Sequence, residues 1–361
     1  MGLLVFRILD VAPIESLREE EMRKVSLYLL GVLVFTALCA ASAGAVQYQI
    51  QDLGIGTAYD VNNSGQVVGD AFLWDSASGR RDLATFGGTN SVARSINDSG
   101  TAVGMATDYA GHGYSAAWTN GQITKLCLQN GMAWDGDAWG VNNAGHVCGA
   151  SLGRAVLLRD GTATTVCRSP DGDCYAYALN DSDDVVGYQP YPNSHVHAFL
   201  VKGGVDFEDI GAIDTFFHPA TKAYDINNKG WVVGFIWNQD PLGIQQGIVW
   251  TDQGWFRLNG FGSSNCAYGI NNEQQIVGDA FTSAREWHAF LWDSTNGIVD
   301  LGVLPGTHDS RAYAINDNGW IVGESGGRAV LWQPIPEPST LLALLSGLAG
   351  IGAMAFRRRG S

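Results

Sequence analysis

One sequence pattern returns along this chain and limits what it can fold into. Its clearest copy is the segment 267–292, AYGINNEQQIVGDAFTSAREWHAFLW. The pattern is an apolar run, an Asn, a polar turn, a Val/Ile pair with Gly, a variable loop, and an apolar strand ending in Trp. Aligned on the Asn, the copies are at Asn62, Asn97, Asn142, Asn180, Asn227, Asn271 and Asn316. A period of roughly 40 to 50 residues is typical of solenoids and propellers, so one repeat domain is expected.

Each copy divides into four short strands, A to D. Clear examples are 312–315 for strand A, 320–323 for strand B, 289–292 for strand C and 298–302 for strand D. Asn-x-x-Gly suits the turn between strands A and B, because Asn tolerates left-handed backbone angles and Gly adopts a positive φ without a steric penalty. Short apolar runs separated by such turns predict an all-β fold.

The two ends of the array predict a closed ring. The last copy stops after its strand C, 329–332, whereas residues 48–54 at the start read as a strand D without a blade of its own. An open solenoid would need polar caps, and the sequence shows none. The expected fold is therefore a seven-bladed β-propeller of four-stranded blades over residues 46–333, in which the N-terminal strand completes the last blade.

The acidic composition limits the classes of partner that the protein can attract. The net charge is −15, and 16% of the residues are charged. Such a field repels nucleic acid and anionic membrane surfaces, so neither is an expected partner. The sequence has no Cys-x-x-Cys pair, phosphate-binding loop or His-Glu-x-x-His motif, and we predict neither a cofactor nor a metal site.

Residues 22–45 read as a secretory signal peptide. Arg23 and Lys24 form a basic start, 27–38 an apolar stretch, and 43–45 (Ala-Gly-Ala) a cleavage site. The Sec translocon and signal peptidase are therefore expected partners. Residues 1–21 end in an acidic cluster before Met22 and do not fit this signal. We interpret them as an extension of the gene model, with translation starting at Met22.

The C-terminal segment 334–361 contains three elements in order. Pro336-Glu337-Pro338 is followed by an apolar helix at 341–356 and by Arg357, Arg358 and Arg359. This segment resembles a PEP-CTERM sorting signal. The resemblance implies cleavage by an exosortase in a Gram-negative bacterium and delivery to the cell surface or the exopolysaccharide matrix, with transient anchoring by the transmembrane helix. A simple membrane anchor would use the same apolar segment.

The repeat itself resembles the bacterial extracellular HAF repeat. The family's His-Ala-Phe stands at 197–199 and 288–290, with Ala-Tyr-Gly-Ile-Asn-Asn at 267–272 and Val-Asp-Leu-Gly at 299–302. The resemblance implies an exported protein and brings no known reaction. Other copies replace the His, as at Tyr114, Arg154 and Arg328. We therefore expect this His to be a strand-surface residue and not a ligand.

Cysteines in an exported protein are disulfide candidates. Cys167 and Cys174 would close a short loop between two blades, and Cys127 with Cys148 is a plausible second bridge.

The loops predict a binding face. In a four-stranded blade the B–C and D–A loops lie on one face, and here they are long and varied, whereas the A–B and C–D turns are short and uniform. Candidate ligand-binding residues on this variable face are Trp134, Asp135, Asp137, Trp139, Tyr191, His195, Phe216, His218 and Trp237. Aromatic rings beside carboxylates and amides suit sugars, which offer an apolar face and hydroxyl groups. The alternative is that these rings pack their own loops.

Three functions remain open from the sequence. The first is a non-enzymatic propeller that binds an extracellular polysaccharide or an envelope protein. The second is a polysaccharide-degrading enzyme with its site in the central funnel, for which Asp135, Asp137, His195 and His218 are candidate acids and bases. The third is a structural matrix protein without a specific ligand. An enzyme should gather its unusual polar residues at the inner ends of several blades, whereas a binder can use one or two loops.

Overall fold

The computed structural model describes residues 47–127, 134, 136–191, 195–213, 219–237, 244–259, 262 and 264–335. These residues form 28 β-strands and no helix. Blade one contains β2 (Ala58–Val61), β3 (Val67–Gly69), β4 (Phe72–Asp75) and β5 (Gly79–Asp82). Blade two contains β6 (Gly87–Ile96), β7 (Ala102–Asp108), β8 (Gly113–Thr119) and β9 (Gln122–Lys125). Blade three contains β10 (Gly136–Val141), β11 (Val147–Ser151), β12 (Arg154–Arg159) and β13 (Thr162–Cys167).

The remaining blades repeat this arrangement. Blade four contains β14 (Tyr175–Leu179), β15 (Val185–Tyr191), β16 (His195–Lys202) and β17 (Asp206–Asp209). Blade five contains β18 (Ala220–Ile226), β19 (Val232–Trp237), β20 (Gln245–Thr251) and β21 (Gly254–Arg257). Blade six contains β22 (Asn265–Ile270), β23 (Ile276–Phe281), β24 (Trp287–Asp293) and β25 (Gly297–Asp300). Blade seven contains β26 (Ser310–Ile315), β27 (Ile321–Ser325), β28 (Arg328–Pro334) and β1 (Tyr48–Ile55).

The N-terminal strand closes the ring. β1 pairs antiparallel with β28, with Tyr48 opposite Pro334 and Ile55 opposite Arg328. It thus supplies the outer strand that the last copy of the repeat lacks. The predicted all-β, seven-bladed propeller, closed by its first strand, is confirmed for the described part of the chain.

The hydrophobic core lies between neighbouring blades. Between blades seven and one, Leu53 of the closing strand and Leu331 pack in one cluster with Phe72. The inner strands converge on the axis, and each has an alanine four residues before the repeat Asn. These alanines have no exposed surface: Ala58, Ala93, Ala138, Ala176, Ala223, Ala267 and Ala312. A methyl group therefore fills the narrow space near the axis, and larger apolar side chains fill the space farther out.

Each inner strand contains a β-bulge one residue after this alanine. In blade six the pairing register shifts between Ala267 and Gly269, which leaves Tyr268 as the extra residue. The same shift occurs in the inner strands of the other blades. A Cβ atom on Gly278 would overlap the carbonyl oxygen of Cys266, which explains the Gly after the Val/Ile pair. A bulge redirects the side chain of the extra residue.

The repeat Asn stabilises its own turn and joins it to the next blade. Oδ1 of Asn97 accepts hydrogen bonds from the Thr101 amide at 3.0 Å and the Ser99 hydroxyl at 2.7 Å. Nδ2 of Asn97 donates to the Asn142 carbonyl at 2.9 Å. The same side-chain-to-carbonyl bond continues from each repeat Asn to the next, and from Asn316 back to Asn62 at 2.8 Å. We call this closed set of hydrogen bonds the Asn ring.

Left-handed backbone angles were predicted for the Asn and the Gly of the Asn-x-x-Gly turn, and they occur at the Gly position, three residues after the repeat Asn. Gly100 has φ 81° and Gly319 has φ 76°, and in two copies Asp183 and Gln274 each adopt φ 62° at this position. The repeat Asn is therefore selected by its two-sided hydrogen bonding, and not by its backbone angles.

The residue after the repeat Asn forms a second closed set of hydrogen bonds. The amide of Asn63 donates to Oδ1 of Asp98 at 2.8 Å, and the amide of Asp98 donates to Oδ1 of Asn143 at 3.0 Å. The pattern continues around the axis until Asp317 donates to Asn63 at 2.9 Å. The A–B turns are thus locked to one another, which explains their uniform length and composition.

The first residue of the His-Ala-Phe motif joins strands C and D. Nδ1 of His197 lies 3.0 Å from Oδ2 of Asp209, and His197 is only 3% exposed. Nδ1 of His288 lies 2.8 Å from Oδ2 of Asp300. The expectation of a strand-surface histidine is therefore wrong for His197, because its aspartate partner compensates its burial.

In the closing blade, an arginine takes the place of this histidine. Nε of Arg328 lies 2.7 Å from Oδ2 of Asp52. Because Asp52 belongs to β1, this ion pair joins the two ends of the propeller.

Several predicted elements lie outside the described residues. These are the segment 1–21, the signal peptide at 22–45, and the sorting-signal residues Pro336, Glu337, Pro338, Arg357, Arg358 and Arg359. Within the described ranges, no helix is long and apolar enough to span a membrane.

Candidate ligand site in the central channel

The bulged residues of the inner strands form a ring around the propeller axis. Their positions in the repeat are equivalent, three residues before each repeat Asn. The ring consists of Tyr59, Arg94, Trp139, Tyr177, Tyr224, Tyr268 and Tyr313. All are partly exposed, because their side chains line an open channel. We call this set the channel ring.

Neighbouring members of the channel ring contact one another all the way round. The centroid distances are 5.9 Å for Tyr59–Tyr313, 5.6 Å for Tyr313–Tyr268, 5.3 Å for Tyr268–Tyr224, 5.4 Å for Tyr224–Tyr177 and 5.0 Å for Tyr177–Trp139. The guanidinium carbon of Arg94 closes the ring, at 3.9 Å from the Trp139 centroid and 5.6 Å from that of Tyr59. The cavity inside has a volume of about 250 Å³.

Burial raises the pKa of the channel-ring tyrosines Tyr59, Tyr177, Tyr224, Tyr268 and Tyr313. These phenols therefore stay protonated at neutral pH. A ring of this kind offers flat apolar faces together with neutral hydroxyl groups that can donate and accept hydrogen bonds.

Two partly buried carboxylates also line this cavity, and both accept hydrogen bonds from the scaffold. Asp60 accepts hydrogen bonds from the amides of Val61 and Ile96, each at 2.8 Å, and from the Ser95 hydroxyl at 2.9 Å. Asp225 accepts from the amide of Ile226 at 2.8 Å and from that of Ile270 at 2.9 Å. Burial raises the pKa of Asp60, and it raises the pKa of Asp225 to about 7. Because their oxygen atoms hold the next blade, these two aspartates are structural residues.

A second set of positions surrounds the channel ring and differs from blade to blade. The positions five residues before the repeat Asn hold Thr57, Val92, Asp137, Tyr175, Lys222, Cys266 and Arg311. The positions after the Gly of strand B hold Asp70, Met105, Ala150, Tyr188, Phe235, Asp279 and Glu324. The inner strand runs from the variable face to the Asn turn, so these positions lie on the variable-face side of the ring. We call the channel ring together with these positions the funnel.

One side of the funnel is aromatic. The rings of Tyr175 and Tyr188 are stacked, with centroids 5.2 Å apart, and Tyr188 contacts the channel-ring residue Tyr177 at 5.7 Å. Nζ of Lys222 lies 4.2 Å from the Tyr188 ring, and desolvation lowers its pKa. We call this group in blades four and five, which also includes Phe235, the aromatic sector.

The next two blades give the funnel a charged side. Nε of Arg311 lies 3.0 Å from Oδ2 of Asp279, and its Nη1 lies 3.7 Å from Oε1 of Glu324. Tyr313 donates its hydroxyl to Oε1 of Glu324 at 3.4 Å. We call Asp279, Arg311 and Glu324, in blades six and seven, the charged sector.

Asp279 is the most unusual member of the charged sector. It is 3% exposed, and its Oδ1 has no hydrogen-bond partner among the described residues. Burial raises its pKa to about 7, although Arg311 opposes this shift. A carboxyl group with such a pKa can exchange a proton near neutral pH.

Two of the residues predicted from the variable face lie on the inner strand β10. Trp139 belongs to the channel ring, and Asp137 lies two residues before it, at a funnel position. Among the other candidates, Tyr191 stacks on the buried His197 with centroids 3.8 Å apart. His195 is the first residue of β16 and Trp237 the last of β19, where it is 40% exposed.

Trp134 does not lie on an open surface. Its indole is fully buried, and Nε1 donates to the Ala150 carbonyl at 2.8 Å. It packs with Val103 and Val147 in the hydrophobic cluster between blades two and three, so it does not present a surface to a ligand. Asp135, Phe216 and His218 lie outside the described residues.

The structure brings together one of the two predicted cysteine pairs. Sγ of Cys167 lies 2.7 Å from Sγ of Cys174, so the structure brings these two residues together, and their disulfide stays a prediction. Cys148 is buried in the cluster between blades three and four, whereas Cys127 is exposed after β9 of blade two. The structure does not bring Cys127 and Cys148 together as it does Cys167 and Cys174, and their bridge stays a prediction.

Similar known structures support the fold. A streptogramin B lyase superposes with a TM-score of 0.52 at 12% identity, covering 80% of this chain and 98% of the lyase. A catalytically inactive virginiamycin B lyase from Staphylococcus aureus, with quinupristin, gives a TM-score of 0.50 at 14% identity and covers 80% of this chain and 100% of that one. An extracellular domain from B. thetaiotaomicron gives 0.52 at 9% identity, covering 81% of this chain and 40% of that one. At these identities the likeness shows the fold alone.

Sequence comparison adds the sorting signal. No curated protein matches this chain significantly in sequence. The family model of the PEP-CTERM protein-sorting motif matches residues 334–359. The chain thus combines a β-propeller with a PEP-CTERM sorting motif, which marks it as an exported protein.

Proposed function

We propose that this protein binds an extracellular polysaccharide in the funnel of its propeller, at the cell surface or in the exopolysaccharide matrix. The observation that carries the proposal is that the residues around the channel ring differ from blade to blade, although the scaffold of the blades repeats. Positions that hold the blades together are uniform, such as the buried alanines and the repeat Asn. The funnel positions outside the channel ring change from blade to blade, which the scaffold does not require.

The chemistry of the aromatic sector favours a sugar. Tyr175 and Tyr188 are partly exposed, stack on each other and contact the channel-ring residue Tyr177. A pyranose ring has an apolar face that stacks on such rings and hydroxyl groups that need polar partners. Lys222 and Arg311 add charged donors at the funnel wall.

The expected location of the protein agrees with a polysaccharide ligand. Export by the signal at 22–45 and processing of the C-terminal segment by an exosortase would place the propeller among the polymers of the cell envelope. A location outside the cell also agrees with the resemblance of the repeat to the extracellular HAF repeat.

A glycan array with the wild-type protein and a Tyr175→Ala/Tyr188→Ala variant tests the proposal. We expect saturable binding that is at least about tenfold weaker in the variant, because loss of stacking costs about 1.4 kcal/mol or more. Trp255→Ala is the matched control, because Trp255 is a 44% exposed aromatic residue on the outer strand β21. Equal losses in both variants, or no glycan binding at all, would refute the funnel as a sugar site and favour a protein partner.

A second candidate function is acid–base catalysis on the bound polymer. Asp279 favours it, because this buried carboxyl group has a pKa of about 7 beside a funnel arginine. Its place at the inner end of blade six also fits the pattern expected of an enzyme. Release of oligosaccharide by the wild-type protein, but not by Asp279→Asn, would establish this activity. Binding without release by either protein would reject it.

A further inference from the structure

Arg94 is the exception in the channel ring. The equivalent residue is Tyr or Trp in the other copies of the repeat. Arg94 is held by its two ring neighbours, at 3.9 Å from the Trp139 centroid and 5.6 Å from that of Tyr59. Arg94 therefore places a permanent positive charge on the wall of the cavity in a protein of net charge −15.

No carboxylate in the described part of the chain forms an ion pair with Arg94. Asp60 of the adjacent inner strand also lines the cavity, and its oxygen atoms accept hydrogen bonds from Val61, Ile96 and Ser95. Arg94 Nε and Trp139 Nε1 are both buried and have no hydrogen-bond partner among the described residues. Two adjacent residues thus carry unsatisfied donors next to the cavity. Buried donors without acceptors are costly, and a bound acceptor would remove that cost.

We propose that the channel binds the acidic terminal unit of a polysaccharide, and that Arg94 contacts its anionic group. This inference rests on the proposed function and specifies its ligand. The chemistry required is a sugar with a carboxylate or a sulfate substituent. A guanidinium group makes paired hydrogen bonds with such planar or tetrahedral anions, and its stacking on Trp139 fixes the direction of those donors.

The size of the cavity favours the end of a chain. Its volume of about 250 Å³ is below the roughly 300–1,000 Å³ of sites that enclose a drug-sized ligand. One sugar ring fits this space, and the following units would lie in the wider funnel against Tyr175 and Tyr188. The channel is therefore suited to a terminal residue rather than to the middle of a long polymer.

Calorimetric titration with trigalacturonate and with its fully methyl-esterified form tests the inference, because esterification removes the charge and keeps the sugar. We expect the wild-type protein to bind the acid at least about tenfold more tightly than the ester. Arg94→Gln should lower the affinity for the acid to that for the ester, and Arg94→Lys should keep part of the preference. A sulfated galactose trisaccharide, titrated in parallel, tells a sulfate-binding from a carboxylate-binding site.

The control variant is Arg168→Gln, which removes an exposed arginine outside the funnel and should change neither affinity. Circular dichroism of each variant shows whether it is folded. If Arg94→Gln does not fold, Arg94→Lys still tests the inference. An acid preference that survives in Arg94→Gln would overturn the inference. Equal binding of acid, ester and sulfate by the wild type would overturn it too, but would leave the proposed sugar site intact. No binding to these probes or to any array glycan would overturn both.

Discussion

Deletion of residues 47–55 is expected to abolish soluble, cooperatively folded protein. These residues form β1, which supplies the outer strand of blade seven and buries Leu53 against Phe72 and Leu331. Without β1 the edge of β28 is unpaired, and exposed strand edges promote aggregation. Size-exclusion chromatography and urea unfolding followed by tryptophan fluorescence would show the loss. A deletion variant that stays monomeric and unfolds in one transition at the wild-type urea concentration would contradict closure by β1.

Two single substitutions in β1 test the contribution of one buried side chain while the length of the strand stays the same. Leu53 is 6% exposed, so Leu53→Ala should cost about 2–4 kcal/mol of unfolding free energy. Ile55 on the same strand is 77% exposed, so Ile55→Ala should change stability by less than about 0.5 kcal/mol. Equal effects of the two variants would show that Leu53 does not pack between the blades.

Substitution of a repeat Asn has the second-largest expected effect. Asn97→Ala removes the acceptor for the Thr101 amide and the donor to the Asn142 carbonyl, and the Asn97 side chain is almost fully buried. Leaving these partners unsatisfied should cost about 2–4 kcal/mol of unfolding free energy. Urea unfolding curves of the variant and the wild type measure this difference.

Two further variants show which hydrogen bond matters. Asn97→Asp keeps the acceptor for Thr101 but replaces the donor, so it isolates the bond to the next blade. Asn90→Ala is the control, because Asn90 is exposed on the surface and should lose less than about 0.5 kcal/mol. If Asn97→Asp were as stable as the wild type, the Asn ring would not contribute to holding the blades together.

The fold was predictable because each copy of the repeat corresponds to one blade. Counting the repeat Asn residues gave the number of blades, and the strand D pattern at 48–54 showed how the ring closes. Strand boundaries agree within two residues: strand C of the clearest copy was expected at 289–292 and is Trp287–Asp293. These features depend on periodicity and chain order, which a single sequence contains in full.

The channel ring was not predicted, and the reason is the β-bulge. In a regular strand, residues that alternate along the sequence share one face, so Tyr268 and Ile270 would point the same way. The bulge between Ala267 and Gly269 breaks this alternation and gives Tyr268 its own direction. The signal was nevertheless present, as an aromatic residue three positions before the Asn in six copies and Arg94 in the other. Only comparison between the copies reveals it.

Burial of single side chains was the other limit of the sequence. Trp134 and Trp139 are five residues apart, yet the first is buried between blades two and three and the second lines the channel. His197 was expected on a surface but is buried because Asp209, on the next strand, compensates it. Such differences depend on the path of loops and on partners distant in sequence, which periodicity does not encode.

Hydroxyl-radical footprinting, with the tightest-binding array glycan present and absent, tests most directly that the funnel is the binding site. We predict that the glycan protects Trp139 of the channel ring and Tyr188 of the aromatic sector from oxidation. Trp255 and Tyr109, which are 44% and 91% exposed outside the funnel, should be oxidised equally in both samples. Protection of Trp255 or Tyr109 with no change at Trp139 and Tyr188 would place the ligand elsewhere and contradict this account.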